Sequence, residues 1–232
     1  MNTIGLIGGM SWESSLEYYR LINEGVKARL GGLHSADCLM YSFDFHEIEA
    51  LQAVEDWAAA TARMIEAAQR LERGGAACIV ICTNTMHKMA DDVAAAVPLP
   101  LIHIADPTAA AIKAQGIETI ALLGTKYTME QDFYRGRLVD AHGLNVLIPA
   151  TEARQAVNRI IYEELVVGQI KDDSRETYVQ IINDLAAQGA QGVILGCTEI
   201  GLLIKPEDSP IPTFDTTALH AAAAVTFALD AD

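Results

Sequence analysis

The sequence repeats one short apolar segment together with the small polar residues that follow it. Residues 75–85 (Gly-Ala-Ala-Cys-Ile-Val-Ile-Cys-Thr-Asn-Thr) align without a gap on residues 189–199 (Gly-Ala-Gln-Gly-Val-Ile-Leu-Gly-Cys-Thr-Glu). Each copy follows a polar, alanine-rich amphipathic stretch and predicts a short buried strand that carries polar residues at its carboxyl end. In this register Thr83 corresponds to Cys197. The repeat predicts two related halves that present matched loops to one cleft.

Short apolar runs also alternate with longer helix-like segments along the whole sequence. These runs cover residues 3–7, 38–43, 78–81, 101–104, 119–123, 146–148, 193–195 and 213–214. Such alternation is typical of α/β folds with parallel sheets. A second repeat supports the division into halves, because Ile-Gly-Leu-Ile-Gly-Gly at residues 4–9 resembles Ile-Ala-Leu-Leu-Gly-Thr at residues 120–125.

Prolines mark the expected crossovers between the two halves. Pro98 and Pro100 mark the first crossover, and the proline-rich segment 205–212 marks the return. We therefore expect a first α/β domain of residues 1–99 plus 213–232 and a second of residues 100–212. Each should contain a four-stranded parallel sheet flanked by helices, with the active site in the cleft between the pseudosymmetric domains.

Composition excludes several classes of partner. The net charge of −15 disfavours binding to nucleic acid or to anionic membranes, because the average field repels both. The opening residues lack a charged and apolar leader, and the apolar stretch at residues 94–112 is interrupted by prolines and charged residues. We expect a cytoplasmic protein with no membrane span. Its four cysteines should stay reduced, and their spacing does not predict a metal site.

Small polar residues collect at the predicted carboxyl ends of the strands, where open parallel sheets bind ligands. They occur at residues 8–11, 83–85, 124–125 and 197–199. Such residues let a backbone approach a small anion and donate short hydrogen bonds, as an α-carboxylate needs. The glycines at 5, 8 and 9 lack the spacing of a dinucleotide-binding loop.

Cys197 is the leading candidate for a reactive group. A strand-end cysteine followed by Thr and Glu would lie at a helix N-terminus, which lowers a thiol pKa from about 8.5; a buried inert cysteine is the alternative. His87 lies about one turn into the next helix and can either face the cleft or pack on the sheet. His46 follows another strand and either lines the entrance or lies in solvent. Cys82 is expected mainly in the core.

Together these motifs resemble the aspartate/glutamate racemase superfamily of cofactor-independent amino acid racemases, and more narrowly its enterobacterial branch. The resemblance extends over essentially the whole chain and rests on four segments: Gly-Gly-Met-Ser at 8–11, Asn-Thr-Met-His at 84–87, Gly-Thr at 124–125 and Gly-Cys-Thr-Glu at 196–199. It implies a homodimer that needs neither pyridoxal phosphate nor metal. It also implies that the substrate is bound by Met10, Ser11, Asn84, Thr85, Thr125 and Thr198, with His87 and Glu199 tuning the reactive positions.

The family uses two cysteines on opposite faces of the substrate Cα, one as thiolate and one as thiol. This chain departs from that pattern, because Thr83 stands where a cysteine precedes Asn-Thr-x-His. An alkoxide is too basic to form at neutral pH, so Thr83 can donate a proton or orient a water but cannot readily begin abstraction. The resemblance implies that Cys197 deprotonates L-amino acids. We therefore expect L-substrates to be handled much better than D-substrates.

The sequence does not determine which side chain the substrate carries. Family members that act on aspartate hold its second carboxylate with an arginine and a lysine, whereas this chain offers His46 and Gln169 near Lys171. Aspartate, glutamate and neutral or hydroxylated substrates such as homoserine are all compatible. Two alternatives also stay open: a decarboxylase of the arylmalonate type with Cys197 as the proton donor, and a non-catalytic amino acid sensor.

Overall fold

A computed structural model describes residues 1–230. The described residues form two compact units: one contains Met1–His103 together with residues 220–230, and the other contains Ile104–Leu219. The units thus divide at 103/104 and 219/220, where the sequence suggested 99/100 and 212/213. Among the described residues, no helix has both the length and the apolar character needed to cross a lipid bilayer.

The first unit contains a parallel sheet of three strands in the order β2-β1-β3. Its elements are β1 (Ile4–Gly8), α1 (Trp12–Leu30), β2 (Cys38–Ser42), α2 (Phe45–Ala53), α3 (Trp57–Arg73), β3 (Cys78–Ile81), a 3₁₀ helix (Thr85–Met89) and α4 (Ala90–Ala96).

The expected fourth strand of this sheet, at residues 101–104, is reduced to one isolated bridge. Leu101 pairs in parallel with Ile79, and the Ile102 N–H donates to the Ile79 carbonyl at 3.0 Å. Pro100 has no N–H to extend the ladder, and a helix begins at Ala105. The prediction of four strands was therefore wrong for the first unit.

The second unit contains a parallel sheet of four strands in the order β5-β4-β6-β7. Its elements are α5 (Ala105–Ala114), β4 (Thr119–Gly124), α6 (Lys126–Glu130), α7 (Asp132–Gly136), a π-helical turn (Arg137–Ala141), β5 (Asn145–Leu147), α8 (Thr151–Glu163), a 3₁₀ turn (Leu165–Val167), α9 (Asp172–Ala187), β6 (Val193–Gly196), α10 (Ile200–Leu203), a 3₁₀ turn (Pro206–Asp208) and β7 (Thr213–Asp215). The last helix, α11, covers Thr216–Leu229.

The strand registers reproduce the repeats read from the sequence. Ile7 pairs with Ile81 between β1 and β3, and Leu123 pairs with Leu195 between β4 and β6. The two sequence repeats align Ile7 with Leu123 and Ile81 with Leu195, so the two sheets pair equivalent positions. The loops after β1 and β3 in the first unit therefore correspond to the loops after β4 and β6 in the second.

Helices cover both faces of each sheet. In the first unit, α2, α3 and α4 pack on one face, and the apolar sides of α1 and α11 pack on the other. In the second unit, α8, α9 and α10 cover one face, and α5 and α7 cover the other. Strands buried on both faces explain the continuous apolar runs in the sequence. The carboxyl ends of the strands are left for the polar loops.

Candidate active site

Three serines build the loop after β1. Ser11 caps α1 by accepting from the Ser14 N–H at 3.3 Å, and Ser15 Oγ both accepts from the Gly9 N–H (2.7 Å) and donates to the Ser11 carbonyl (3.0 Å). Ser14 Oγ donates to the Cys82 carbonyl at 2.9 Å, which ties this loop to the end of β3. Met10 and Ser11 are buried. These bonds fix the backbone of the first predicted binding segment.

Thr83 follows β3 and is held through its backbone. Its N–H donates to the Ile81 carbonyl at 2.9 Å, and its carbonyl accepts from His87 Nδ1 at 2.7 Å. His87 lies in the 3₁₀ helix rather than a full turn into an α-helix, and it is buried together with Asn84 and Thr85. Thr83 itself is half-buried. The structure brings all four residues to the carboxyl end of one strand.

In the second unit, Thr125 follows β4 as the N-cap of α6. Its Oγ1 accepts from the Thr128 N–H at 3.3 Å and lies 3.2 Å from Thr128 Oγ1. The next residue, Lys126, donates its N–H to Asn158 Oδ1 at 2.8 Å. Thr125 thus occupies the place in this unit that Gly9 occupies in the first, and it lies beside the end of β6, where Gly124 pairs with Gly196.

Cys197 and Glu199 form a hydrogen-bonded pair directly after β6. The Cys197 thiol donates to Glu199 Oε2 at 3.0 Å, and the Cys197 carbonyl accepts from the Ile200 N–H at 3.0 Å. Glu199 and Thr198 are buried, whereas Cys197 is half-buried. A thiol that donates to a buried carboxylate is arranged for proton transfer between sulfur and oxygen.

The pKa of Cys197 does not follow the expectation from sequence. Burial of the thiol, together with the charge and hydrogen bond of Glu199, raises its pKa well above the ordinary value. The N–H groups of Thr198 and Glu199 act in the opposite direction, as a helix N-terminus should, but α10 has only four residues. This direction is opposite to the lowered thiol pKa expected from the sequence, because burial and the Glu199 carboxylate outweigh the two N–H groups.

The other cysteines belong to the core or to its margin. Burial raises the pKa of Cys78 to about 11 and that of Cys82 further, and it also raises the pKa of Cys38. Cys82 packs under the first sheet, as expected for a core residue. His46 is exposed in the first turn of α2, where its N–H donates to Asp44 Oδ1 at 3.1 Å.

Near Gln169, the charged side chains of Lys171 and Glu164 pair with each other. Lys171 Nζ lies 3.5 Å from Glu164 Oε1, and Ser174 Oγ donates to Glu164 Oε2 at 2.6 Å. The hydrogen bond from Ser174, with the charge of Lys171, holds the pKa of Glu164 below its ordinary value. Lys171 therefore has a carboxylate partner within its own unit.

A cluster of buried rings next to Thr83 was not predicted from the sequence. His103 and His220 both pack edge-on against His87, and Tyr18 packs against His220. The residues come from four separate parts of the first unit, with Tyr18 and His220 lying 202 positions apart in the chain. A short-range motif could not have identified them. Within residues 1–230, no three His, Cys, Asp or Glu side chains form a group that could hold a metal ion.

Comparison with known proteins gives consistent matches over most of the chain. A family model described as Asp/Glu/Hydantoin racemase matches residues 7–224. The broad specificity amino-acid racemase RacX of Bacillus subtilis is 26% identical over 166 residues, which are 70% of this chain and 69% of RacX.

Solved structures share the complete fold. A protein from Yersinia pestis, named provisionally as an Asp/Glu racemase, is 60% identical with a TM-score of 0.93, and the match covers 99% of this chain and 100% of that one. An aspartate racemase homologue from Pyrococcus horikoshii is 38% identical with a TM-score of 0.85, and the match covers 98% and 99% of the two chains.

Proposed function

Because the chain belongs to the Asp/Glu/Hydantoin racemase family and is an isomerase of the amino acid racemase class, we propose that it inverts the Cα of L-aspartate, L-glutamate or a broader set that includes homoserine. Cys197 is the proposed base, and Thr83 serves the opposite face of the substrate. The observation that carries this proposal is the 3.0 Å hydrogen bond from the Cys197 thiol to Glu199 Oε2.

This pair supplies a route to the thiolate without loss of a proton to solvent. Glu199 takes the proton from the Cys197 sulfur and becomes a carboxylic acid, and the thiolate then takes the Cα proton of the L-substrate. The products of this step are a carbanion, a neutral thiol and a protonated Glu199.

The carbanion is then protonated from the other face. We propose that Thr83, or a water that it orients, donates this proton while its oxygen takes a proton from solvent in the same step, so that no free alkoxide forms. Glu199 then releases its proton to solvent, which restores the starting state. The carbonyl of Thr83 is held by His87, which fixes the peptide that carries the hydroxyl. A hydroxyl cannot begin abstraction at neutral pH, so the D-enantiomer is expected to enter the reaction slowly.

Substrate contacts are assigned to the loops at the strand ends. We propose that Ser11, Asn84, Thr85, Thr125 and Thr198, with Met10, bind the α-carboxylate and the amino group. Lys171 is already paired with Glu164, and His46 is exposed. We therefore propose that His46 and Gln169, rather than Lys171, face the side chain of the substrate. With these two residues at that end, the substrate need not have an acidic side chain.

Solvent deuterium entering Cα, followed by proton NMR, tests the proposal. L- and D-aspartate, glutamate and homoserine are compared in the native chain and in Cys197→Ala. We expect exchange from an L-enantiomer, with a loss of about 10²–10⁴-fold in Cys197→Ala because the base is removed. Cys38→Ala is the matched control, since Cys38 begins β2 and so lies at the amino end of that strand, away from the carboxyl ends that carry the candidate site. Absence of exchange with every substrate would reject racemisation and would favour the two alternatives, a decarboxylase or a non-catalytic sensor.

We also propose that the enzyme acts in the cytoplasm as a homodimer. The family resemblance supports the dimer, and an exposed apolar face of α1, formed by Trp12, Leu16 and Tyr19, offers a surface for it.

A further inference from the structure

A chain of contacts leads from α1 through α11 to the residue that holds Thr83. Tyr18 Oη lies 2.8 Å from His220 Nδ1, and His220 Nε2 lies 2.6 Å from the Ile102 carbonyl. The ring of His220 contacts the ring of His87 at 5.6 Å between centroids. Tyr18, His87 and His220 are almost completely buried, at 0%, 2% and 0% exposure.

The partners determine where the protons of His220 lie. A carbonyl oxygen can only accept, so His220 Nε2 must carry the hydrogen that is donated to Ile102. In the neutral ring Nδ1 is then an acceptor, and Tyr18 Oη is its donor. This pair of bonds fixes both the tautomer and the orientation of the ring.

The same reasoning applies to His87. Its Nδ1 lies 2.7 Å from the Thr83 carbonyl and therefore carries the hydrogen. The rings of His103 and His220 pack against it edge-on, at 66° and 64° to its plane, in the geometry that aromatic rings favour. His87 therefore has one edge bonded to Thr83 and its flanks set by neighbouring rings.

We propose that Tyr18 and His220 are positioning residues for the Thr83 face of the reaction. They hold the ring of His87, which in turn holds the Thr83 peptide and the direction of its hydroxyl. A displacement of a reacting group by about 1 Å can cost about 10²-fold in rate, so a remote hydroxyl can affect catalysis through this path. The inference rests on the proposed function for its rate measurement, and on the contacts alone for its spectroscopic one.

The rate measurement compares the two fates of one carbanion. Return of a deuteron from Cys197 gives labelled L-substrate, whereas donation on the Thr83 face gives labelled D-product. The ratio of D-product to exchanged L-substrate therefore reports the Thr83 face and is independent of the amount of folded enzyme. We expect this ratio to fall about fivefold in Tyr18→Phe, the factor that corresponds to one neutral hydrogen bond.

Two further variants separate positioning from loss of stability. His220→Asn retains an oxygen that can accept from Tyr18 but has no ring to contact His87, and we expect the same fall in the ratio. The double variant should lose no more than the larger single variant, since both act through one path. Tyr134→Phe removes a fully buried hydroxyl in the second unit and should leave the ratio unchanged.

Imidazole ¹⁵N NMR tests the same path without any substrate. In the native chain we expect His87 as the Nδ1–H form and His220 as the Nε2–H form, and we expect Tyr18→Phe to shift the resonances of both rings. A shift confined to His220, or a product ratio that is unchanged in both Tyr18→Phe and His220→Asn, would overturn the inference. An inactive native enzyme would reject the proposed function, and the NMR result would still decide the positioning role.

Discussion

At the scale of single residues, burial and then Glu199 determine how Cys197 ionises. Its negative charge and its hydrogen bond raise the thiol pKa, so Glu199→Gln should lower that pKa, although burial keeps it above the ordinary value. Alkylation of Cys197, followed by mass spectrometry against pH, should have its midpoint at lower pH in the variant. The same change removes the internal proton acceptor, so exchange from L-substrates at pH 7 should be slower.

The pH dependence of exchange distinguishes an acceptor from a mere electrostatic neighbour. In the native chain the proton stays within the pair, so the rate should change little near neutral pH. In Glu199→Gln the thiol must lose its proton to solvent, and the rate should rise about tenfold per pH unit below the thiol pKa. Glu176→Gln, an exposed change on α9, is the control. A faster variant with a flat profile would show that Glu199 does not take the proton.

Thr83 is the residue that should make the reaction directional. A thiol can form a thiolate near neutral pH and a hydroxyl cannot, so Thr83→Cys should bring the initial rate from D-substrates to within about tenfold of that from L-substrates. Thr83→Ser keeps a hydroxyl and should keep the native preference. Entry of solvent deuterium at Cα, started from each enantiomer and followed by proton NMR before net inversion accumulates, measures the rate of proton abstraction on each face. Equal rates from the two enantiomers in the native chain would contradict the assigned role.

At the scale of elements, the loop after β1 requires glycine for a steric reason. Gly9 has a φ of 81°, and a Cβ added there would lie 2.2 Å from the Phe43 carbonyl oxygen. Gly9→Ala should therefore lower the free energy of unfolding by about 1–2 kcal/mol for the left-handed conformation and by about 1–3 kcal/mol more for the clash.

The matched control for this loop is Gly75→Ala. Gly75 lies in the same unit with a φ of 95°, and an added Cβ there would have no atom within 4 Å. This variant should lose only the conformational part of the free energy of unfolding. Urea unfolding measures both changes as shifts of midpoint at constant m-value. Equal losses of unfolding free energy in the two variants would show that the loop after β1 shifts to accommodate the added methyl group.

The elements themselves were largely predictable from the order of apolar runs. The run at residues 78–81 coincides with β3, and the other observed strands differ from their predicted runs by one residue at one or both ends. The exception is Leu101, because a strand needs N–H donors that Pro100 lacks and space that α5 occupies. The position of Cys197 was predictable in the same way, but its pKa depends on where the Glu199 carboxylate points, which no local pattern determines.

At the scale of the whole molecule, the repeat is the feature that sequence revealed most completely. It placed β1 with β4 and β3 with β6, and the two central registers agree with it. What it could not reveal are contacts between segments far apart in the chain. Tyr18 and His220 meet only because α1 and α11 pack on the same face of the first sheet. The second sheet also differs from the first by keeping its fourth strand, β7.

The proposed homodimer assigns a role to an apolar face of α1. Trp12, Leu16 and Tyr19 recur at helical spacing and are 65%, 57% and 51% exposed. With Met40 on the edge strand β2, they line a shallow cavity of about 390 Å³. Two copies of a chain with a net charge of −15 repel each other, so a stable contact between them must bury apolar surface of this kind.

Sedimentation velocity tests this surface directly. The native chain should sediment at twice its mass of 25.0 kDa, and Leu16→Asp should sediment as a single chain because a charge at the centre of the apolar face opposes its burial. Leu33→Asp places the same charge on a fully exposed leucine outside that face and should leave the dimer intact. A dimer that survives Leu16→Asp would place the interface elsewhere on the molecule, and a monomeric native chain would reject the proposed assembly.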